Sequence, residues 1–224
     1  MKVVFCVVVF AAIGYGVAKT STKTADMRAM GPAATPAKDP AAASKGTETA
    51  VFAGGCFWGL EAVFEHVKGV TDVKNGYMGG VAKTANYDDV SGGQTGHAES
   101  VKITYDPTKV TYEQLLSVFF SVAHDPTELN MQGPDHGTQY RSAIFYADDN
   151  QKSAAVAYID SLGKAKAFTA PIVTEVVPAK TFYDAEAYHQ NYLERHPNEP
   201  YIVINDQPKV ASLKTKYPDL YAGK

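Results

Sequence analysis

The sequence predicts an α+β protein, a two-layer sandwich with a ferredoxin-like βαββαβ core of mixed sheet and C-terminal additions. Three observations carry that prediction. Apolar segments with strand-like and helix-like periods alternate in the order strand, helix, strand, strand, helix, strand. Each of the two helices is marked at its start or its end. The chain of 224 residues also has the apolar and charged fractions of an ordinary globular protein, enough for one core once its N-terminal region is set aside.

Residues 1–18 read as a cleaved signal peptide. Lys2 supplies a positive start, Val3 to Ile13 is apolar, and Gly16-Val17-Ala18 offers the small residues a signal peptidase needs. The uncharged run is short against the ~20 residues of a spanning helix, so an anchor is the weaker reading. Residues 19–46 change to Ala, Thr, Pro and Lys without apolar periodicity, which predicts a flexible linker. Residues 47–224 then form a single domain with an irregular C-terminal tail.

Within the domain, Thr49 to Ala53 is a predicted strand. Phe57 to Val67 is a helix with Leu60, Val63, Phe64 and Val67 on one face, ended by Gly69. Val70 to Tyr77 is the second strand. Met78 to Gly96, rich in Gly, Asp, Asn and Ser, reads as a long loop. Glu99 to Tyr105 alternates, with Val101, Ile103 and Tyr105 on one face. Thr111 with Gln114 forms a capping box ahead of Leu115, Leu116, Val118 and Phe119. A loop over Asp125 to Gln139 leads to a strand at Ser142 to Tyr146. A helix over Asp149 to Gly163, an extended Ile172 to Val177 and a short helix over Asp184 to Arg195 follow.

A net charge of −3 gives no electrostatic reason to expect nucleic acid or an anionic membrane as partner. There are two cysteines, and Cys6 lies in the signal, so Cys56 is the only thiol of the mature chain. Export to a disulfide-permitting compartment with a single cysteine points to a reactive thiol. Cys56 stands at a strand-to-helix turn, where the helix dipole favours the thiolate. Gly54, Gly55 and Gly59 around it suggest close approach of a ligand, and Phe57 and Trp58 suggest an apolar pocket. The bland alternative makes Cys56 a small buried hydrophobe and the aromatics ordinary core. Glu99 lies where the long loop enters a strand. By position alone it reads as a solvated carboxylate at a sheet edge, although burial there would raise its pKa and make it a proton donor near neutral pH. Gly133 to Ser142 is a polar loop able to present side chains, or Asp135 and His136 simply hold its turn. No histidine or cysteine spacing suits a metal ion, so none is expected.

Gly55-Cys56-Phe57-Trp58-Gly59, Gly96-His97-Ala98-Glu99 and Asp135-His136-Gly137-Thr138-Gln139-Tyr140-Arg141-Ser142 together resemble the A-type peptide methionine sulfoxide reductases, over roughly Thr49 to Arg195. The resemblance implies Cys56 as nucleophile on the sulfoxide sulfur and Glu99 as the carboxyl that protonates its oxygen. It implies Tyr87 and Tyr140 as assisting hydroxyls. Phe57 and Trp58 become the walls for the substrate methyl, with Asp135 and His189 also assigned to substrate binding. The expected substrate is the S epimer, free or in oxidised proteins, with no bound cofactor. Many relatives carry resolving cysteines near the C-terminus; this chain has none after Cys56. An external thiol reductant is therefore expected: thioredoxin, glutaredoxin with glutathione, or a dithiol. The protein is expected to be an extracytoplasmic monomer without stable membrane association. The competing enzyme class is a cysteine hydrolase or acyltransferase with His97, His136 or His189 as base. A non-enzymatic methionine-sulfoxide-binding domain is the other alternative.

Overall fold

The computed structural model describes residues 46–223; the predicted signal and linker, with Cys6, lie outside them. In chain order the elements are β1 (Glu48–Ala53), α1 (Phe57–Glu65), β2 (Val70–Met78), α2 (Tyr87–Ser91), β3 (Ala98–Tyr105), α3 (Tyr112–Val118), β4 (Met131–Gln132), β5 (Asp135–His136), β6 (Ala143–Tyr146), α4 (Asp149–Lys164), β7 (Glu175–Pro178), β8 (Tyr183–Asp184), α5 (Tyr192–Arg195) and α6 (Gln207–Lys216). Six strands form one sheet in the order β7-β6-β1-β3-β2-β8, and β4 pairs with β5 as a small separate ribbon. Only β6 and β7 run parallel, so the sheet is mixed.

The alternation in β3 fixes which face meets the helices. Val101, Ile103 and Tyr105 are buried with Phe52 of β1 and with Leu60, Val63 and Phe64 of α1. Phe52 stacks on Phe119, ring centroids 4.8 Å apart, which ties β1 to the segment that follows α3. The opposite face carries a smaller cluster of Val51, Ala53, Met78 and Phe145, against which Val177 and Phe182 pack. The capping box is present as predicted: Thr111 Oγ1 accepts from Gln114 N–H, and Gln114 Oε1 accepts from Thr111 N–H.

Four predicted segments differ from what forms, the first being the loop over Asp125 to Gln139, which holds the β4–β5 ribbon. The long loop contains α2, because Asn86 Oδ1 accepts from Asp89 N–H at 3.1 Å and caps a turn that buries Val90. The helix expected over Asp184 to Arg195 is broken into β8, a 3₁₀ turn (Ala187–His189) and α5. The break falls at Asn191, whose positive φ of 52° turns its N–H towards the Glu61 carboxylate. The tail expected to be irregular is also folded. A π turn (Ile202–Asp206) runs into α6, and Ile202, Asp206 and Leu213 are buried. This strap, from Tyr183 to Lys216, packs against α1.

Candidate active site

Strand register brings the two principal groups together. Phe52 of β1 lies opposite Val101 of β3, so extending the ladder by two residues sets Glu99 beside the turn that carries Cys56. Cys56 is the N-cap of α1. The next backbone N–H, that of Phe57, donates to Glu99 Oε2 at 3.1 Å. Glu99 Oε1 is left as the oxygen that a ligand can meet. A cavity of about 180 Å³ opens at this point. Its lining brings together Cys56, Phe57, Trp58, Tyr87, Glu99, Asp135 and Tyr140, and adds Tyr201, which the sequence did not suggest.

Glu99 is not a solvated edge carboxylate. It sits in a central strand and is 2 % exposed. Burial pushes its pKa up to about 8, the Phe57 N–H holds it down, and the charge of Asp135 raises it further. The carboxyl is therefore protonated at neutral pH. The expected thiolate is likewise not the resting form of Cys56. Burial raises the thiol well above its usual value, and the charges of Glu99 and Asp206 add to that. A hydrogen bond from Trp58 N–H and the charge of Lys209 act the other way and do not prevail. The helix N-terminus is present, but desolvation outweighs it.

The glycines around Cys56 admit protein groups rather than a ligand. A Cβ on Gly54 would stand 2.8 Å from the His124 ring, and one on Gly55 would stand 2.7 Å from Gln132. At Gly59 a Cβ would meet Asp206 Oδ1 at 2.2 Å and Lys209 Nζ at 2.8 Å. Asp206 is fully buried and pairs with Lys209 at 3.1 Å, so its carboxylate lies directly on the first turn of α1.

Tyr87, at the start of α2, is held by its backbone N–H, which donates to Glu186 Oε1 at 2.9 Å. Burial and the charge of Glu99 raise its pKa and that of Tyr140, which keeps both as hydroxyl donors. Asp135 accepts from the Tyr201 hydroxyl. Apart from Tyr140, the rest of that motif is structural. Thr138 Oγ1 donates to Gly93 O, Gln139 Nε2 to Ser91 O, and the Arg141 guanidinium to His97 O and Gly96 O, so this segment clamps the loop after α2.

His189 does not line the cavity. It is buried behind Trp58, whose indole N–H donates to His189 Nδ1 at 3.1 Å, while Tyr192 stacks on the indole at 3.7 Å. His97 is also committed elsewhere: Nδ1 accepts from Gly80 N–H and Nε2 faces Val81 O. His136 is exposed and outside the cavity. Among the described residues no imidazole therefore faces Cys56 in the cavity, which removes the base that a cysteine hydrolase needs. No group of three or more His, Cys, Asp or Glu among the described residues could hold a metal ion.

Three residues of the strap escaped the sequence reading. Tyr201, Tyr192 and Asp206 follow Pro197 or flank it without apolar periodicity, and their placement depends on packing against α1. Asn86 ahead of two acidic residues was a readable helix start for α2.

Residues 48–220 match the family model described as peptide methionine sulfoxide reductase. A peptide methionine sulfoxide reductase MsrA 2 of Mesorhizobium japonicum is 62 % identical over 182 residues, covering 81 % of this chain and 93 % of the relative. The MsrA of Deinococcus radiodurans is 50 % identical over 172 residues, 77 % of this chain and 83 % of the relative. Among solved structures, the reduced form of Mxr1 from Saccharomyces cerevisiae aligns with a TM-score of 0.65 at 35 % identity, covering 69 % of this chain and 88 % of that one. Methionine sulfoxide reductase A of Corynebacterium diphtheriae aligns at 0.61 and 38 %, covering 69 % and 77 %. Motifs, fold and relatives agree: the chain belongs to the peptide methionine sulfoxide reductases, which are oxidoreductases.

Proposed function

We propose that the protein reduces the S epimer of methionine sulfoxide, free or in oxidised proteins, by direct attack of Cys56 on the sulfoxide sulfur. One observation carries this reading: a thiol and a buried carboxyl, whose pKa burial raises, share a small cavity walled by Phe57 and Trp58. The sulfoxide oxygen is a poor leaving group unless it is protonated. Glu99 is poised to donate that proton, with the hydroxyls of Tyr87 and Tyr140 placed to support the oxygen as charge develops. The aromatic walls receive the methyl group, and fixed sub-sites for methyl and oxygen select one epimer.

The step balances as an oxygen transfer. The sulfur–oxygen bond of the substrate breaks, and the oxygen ends as a hydroxyl on the Cys56 sulfur, a sulfenic acid. The methionine sulfoxide is reduced by two electrons to methionine, and Cys56 is oxidised by two. The thiol proton replaces the one Glu99 gives up. Because both groups start protonated, no charge has to be created in the cavity before the substrate arrives.

No other cysteine lies among the described residues, and the only other one in the sequence is Cys6. Recycling is proposed to use an external thiol, thioredoxin, glutaredoxin with glutathione, or a dithiol. It attacks the sulfenic acid, releases water and leaves a mixed disulfide that a second thiol resolves. An exported, monomeric protein freed of residues 1–18 completes the proposal.

Reduced protein mixed with sulfoxide and no reductant tests it. The expected result is one methionine per Cys56, a mass gain of one oxygen at that residue, and a mature N-terminus after Ala18. No methionine formed would leave only a binding domain and overturn the reading. A Cys56 disulfide within the chain would overturn the external reset.

A further inference from the structure

Trp58 and Glu61 are three residues apart in α1, so they share one helix face. The strap lies across that face and meets both. Glu61 is 1 % exposed, yet its hydrogen-bond partners all lie outside the cavity lining. Its carboxylate accepts from Asn75 Nδ2 at 2.7 Å, from Asn191 N–H at 2.8 Å and from Tyr192 N–H at 3.4 Å. Asn75 uses the same amide nitrogen to donate to His189 O at 2.8 Å. The backbone of Asn75 adds two more ties, to Gln190 Oε1 and Nε2. The residues held this way are the ones that hold Trp58: His189 accepts its indole N–H, and Tyr192 covers its ring at an interplanar angle of 5°.

We propose that Glu61 and Asn75 are positioning residues, a buried clasp that fixes the strap against α1 and so sets the place of the Trp58 wall in the methyl sub-site. The proposal rests on the reading of Trp58 as that wall. A buried carboxylate contributes little net stability compared with an apolar side chain of its volume. What it supplies here is direction. Three donors from β2 and the strap converge on two oxygens, and an apolar residue could not hold Asn191 in its left-handed turn or the Tyr192 ring parallel to the indole.

The chain has a single tryptophan, so its emission reports this wall directly. The test uses the full-length protein. In Glu61→Gln one acceptor oxygen becomes an amide NH2 that faces the same donors. In Asn75→Ala the arm to His189 is cut while Glu61 keeps its strap bonds, which gives a second variant should the first fail to fold. Expected for both are a red-shifted emission, easier acrylamide quenching, and a half-saturating sulfoxide concentration in single turnover raised about tenfold, the size of a methyl misfit in an apolar pocket. The saturated rate and the alkylation of Cys56 stay as in the wild type. Folded variants with unchanged emission or unchanged half-saturation overturn the inference, even when their unfolding midpoint falls. Trp58→Ala separates the two claims: wild-type saturation in that variant would refute the methyl wall, and the emission of Glu61→Gln would still decide whether the clasp holds the ring.

Discussion

Two regions made in different ways meet at the cavity, whose lining is completed by Tyr87, Asp135 and Tyr140 from the segments between them. One is the turn from β1 to α1 with the start of β3, where neighbouring residues and strand register place Cys56, Phe57, Trp58 and Glu99. The other is the strap from Tyr183 to Lys216, where short irregular pieces are held by side-chain bonds to distant residues. Glu186 takes the Tyr77 hydroxyl and the Tyr87 N–H. Gln190 bonds to Asn75, Glu61 receives Asn191, and Asp206 seats on Gly59. The first region holds the reacting groups, and the second holds the groups that surround them. Changes in the first should therefore affect the chemical step, whereas changes in the second should affect binding, fit and stability.

The largest expected effect is that of Cys56→Ser, which removes the nucleophile. Methionine formation should vanish altogether, with the fold and the Trp58 emission unchanged; any turnover by this variant would place the chemistry elsewhere. Glu99→Gln comes next. The amide keeps the bond from Phe57 N–H but cannot donate the acid proton, so the single-turnover rate should fall by about 10² or more. In the wild type that rate should fall as pH rises through about 8, because only the protonated carboxyl is competent and its folded pKa lies there. The variant should lose this limb. The same group has a stability sign. Its pKa is raised on folding from 4.5 to about 8, so its contribution is full below 4.5 and is lost as pH rises through about 8. Urea midpoints measured across that window should decline less in Glu99→Gln than in the wild type.

The contrast between the regions also explains what the sequence could disclose. Alternation in Val101, Ile103 and Tyr105, the period of Leu60, Val63, Phe64 and Val67, and the Thr111 box are local, and each reappears in the fold. The three motifs likewise hold six of the residues that gather around the cavity: Cys56, Phe57, Trp58, Glu99, Asp135 and Tyr140. Environment was less legible. Glu99 read as solvated because its burial depends on β1 and β2 pairing on either side of it. Cys56 read as a thiolate because a helix start is visible in sequence and desolvation is not. Gly59 read as room for a ligand, when the group that fills the space is Asp206, nearly 150 residues later in number. Tyr201 and Tyr192 gave no sign at all, since nothing in their own neighbourhood determines where they sit.

Gly59→Ala breaks the comparison from the side of stability. Alanine favours the helix by about 1 kcal/mol over glycine. Its Cβ, however, would stand 2.2 Å from Asp206 Oδ1 and 2.8 Å from Lys209 Nζ. Lys209 is partly exposed and can shift, but Asp206 is fully buried in the π turn and cannot swing into solvent, and overpacking of this kind costs about 1–3 kcal/mol. A net loss of roughly 1 kcal/mol is expected in urea unfolding. A variant more stable than the wild type would show that the strap is not seated on α1 in this way.

The smallest effect expected is that of Tyr201→Phe, and it bears most directly on whether the strap takes part in chemistry. The phenol lines the cavity, and its hydroxyl donates to Asp135. Burial, the nearby thiol and the bond to Asp135 all raise its pKa, so at neutral pH it is a hydroxyl and never a phenolate. Removing the oxygen keeps the ring edge against Trp58 at 6.0 Å, and with it the wall. What is lost is one hydrogen bond to Asp135, worth about 1 kcal/mol or a few-fold in rate or affinity. If the strap only shapes the pocket, half-saturation should shift a few-fold while the saturated single-turnover rate holds. If that rate instead fell as far as in Glu99→Gln, Tyr201 would belong with the reacting groups, and the division between the two regions would fail at this residue.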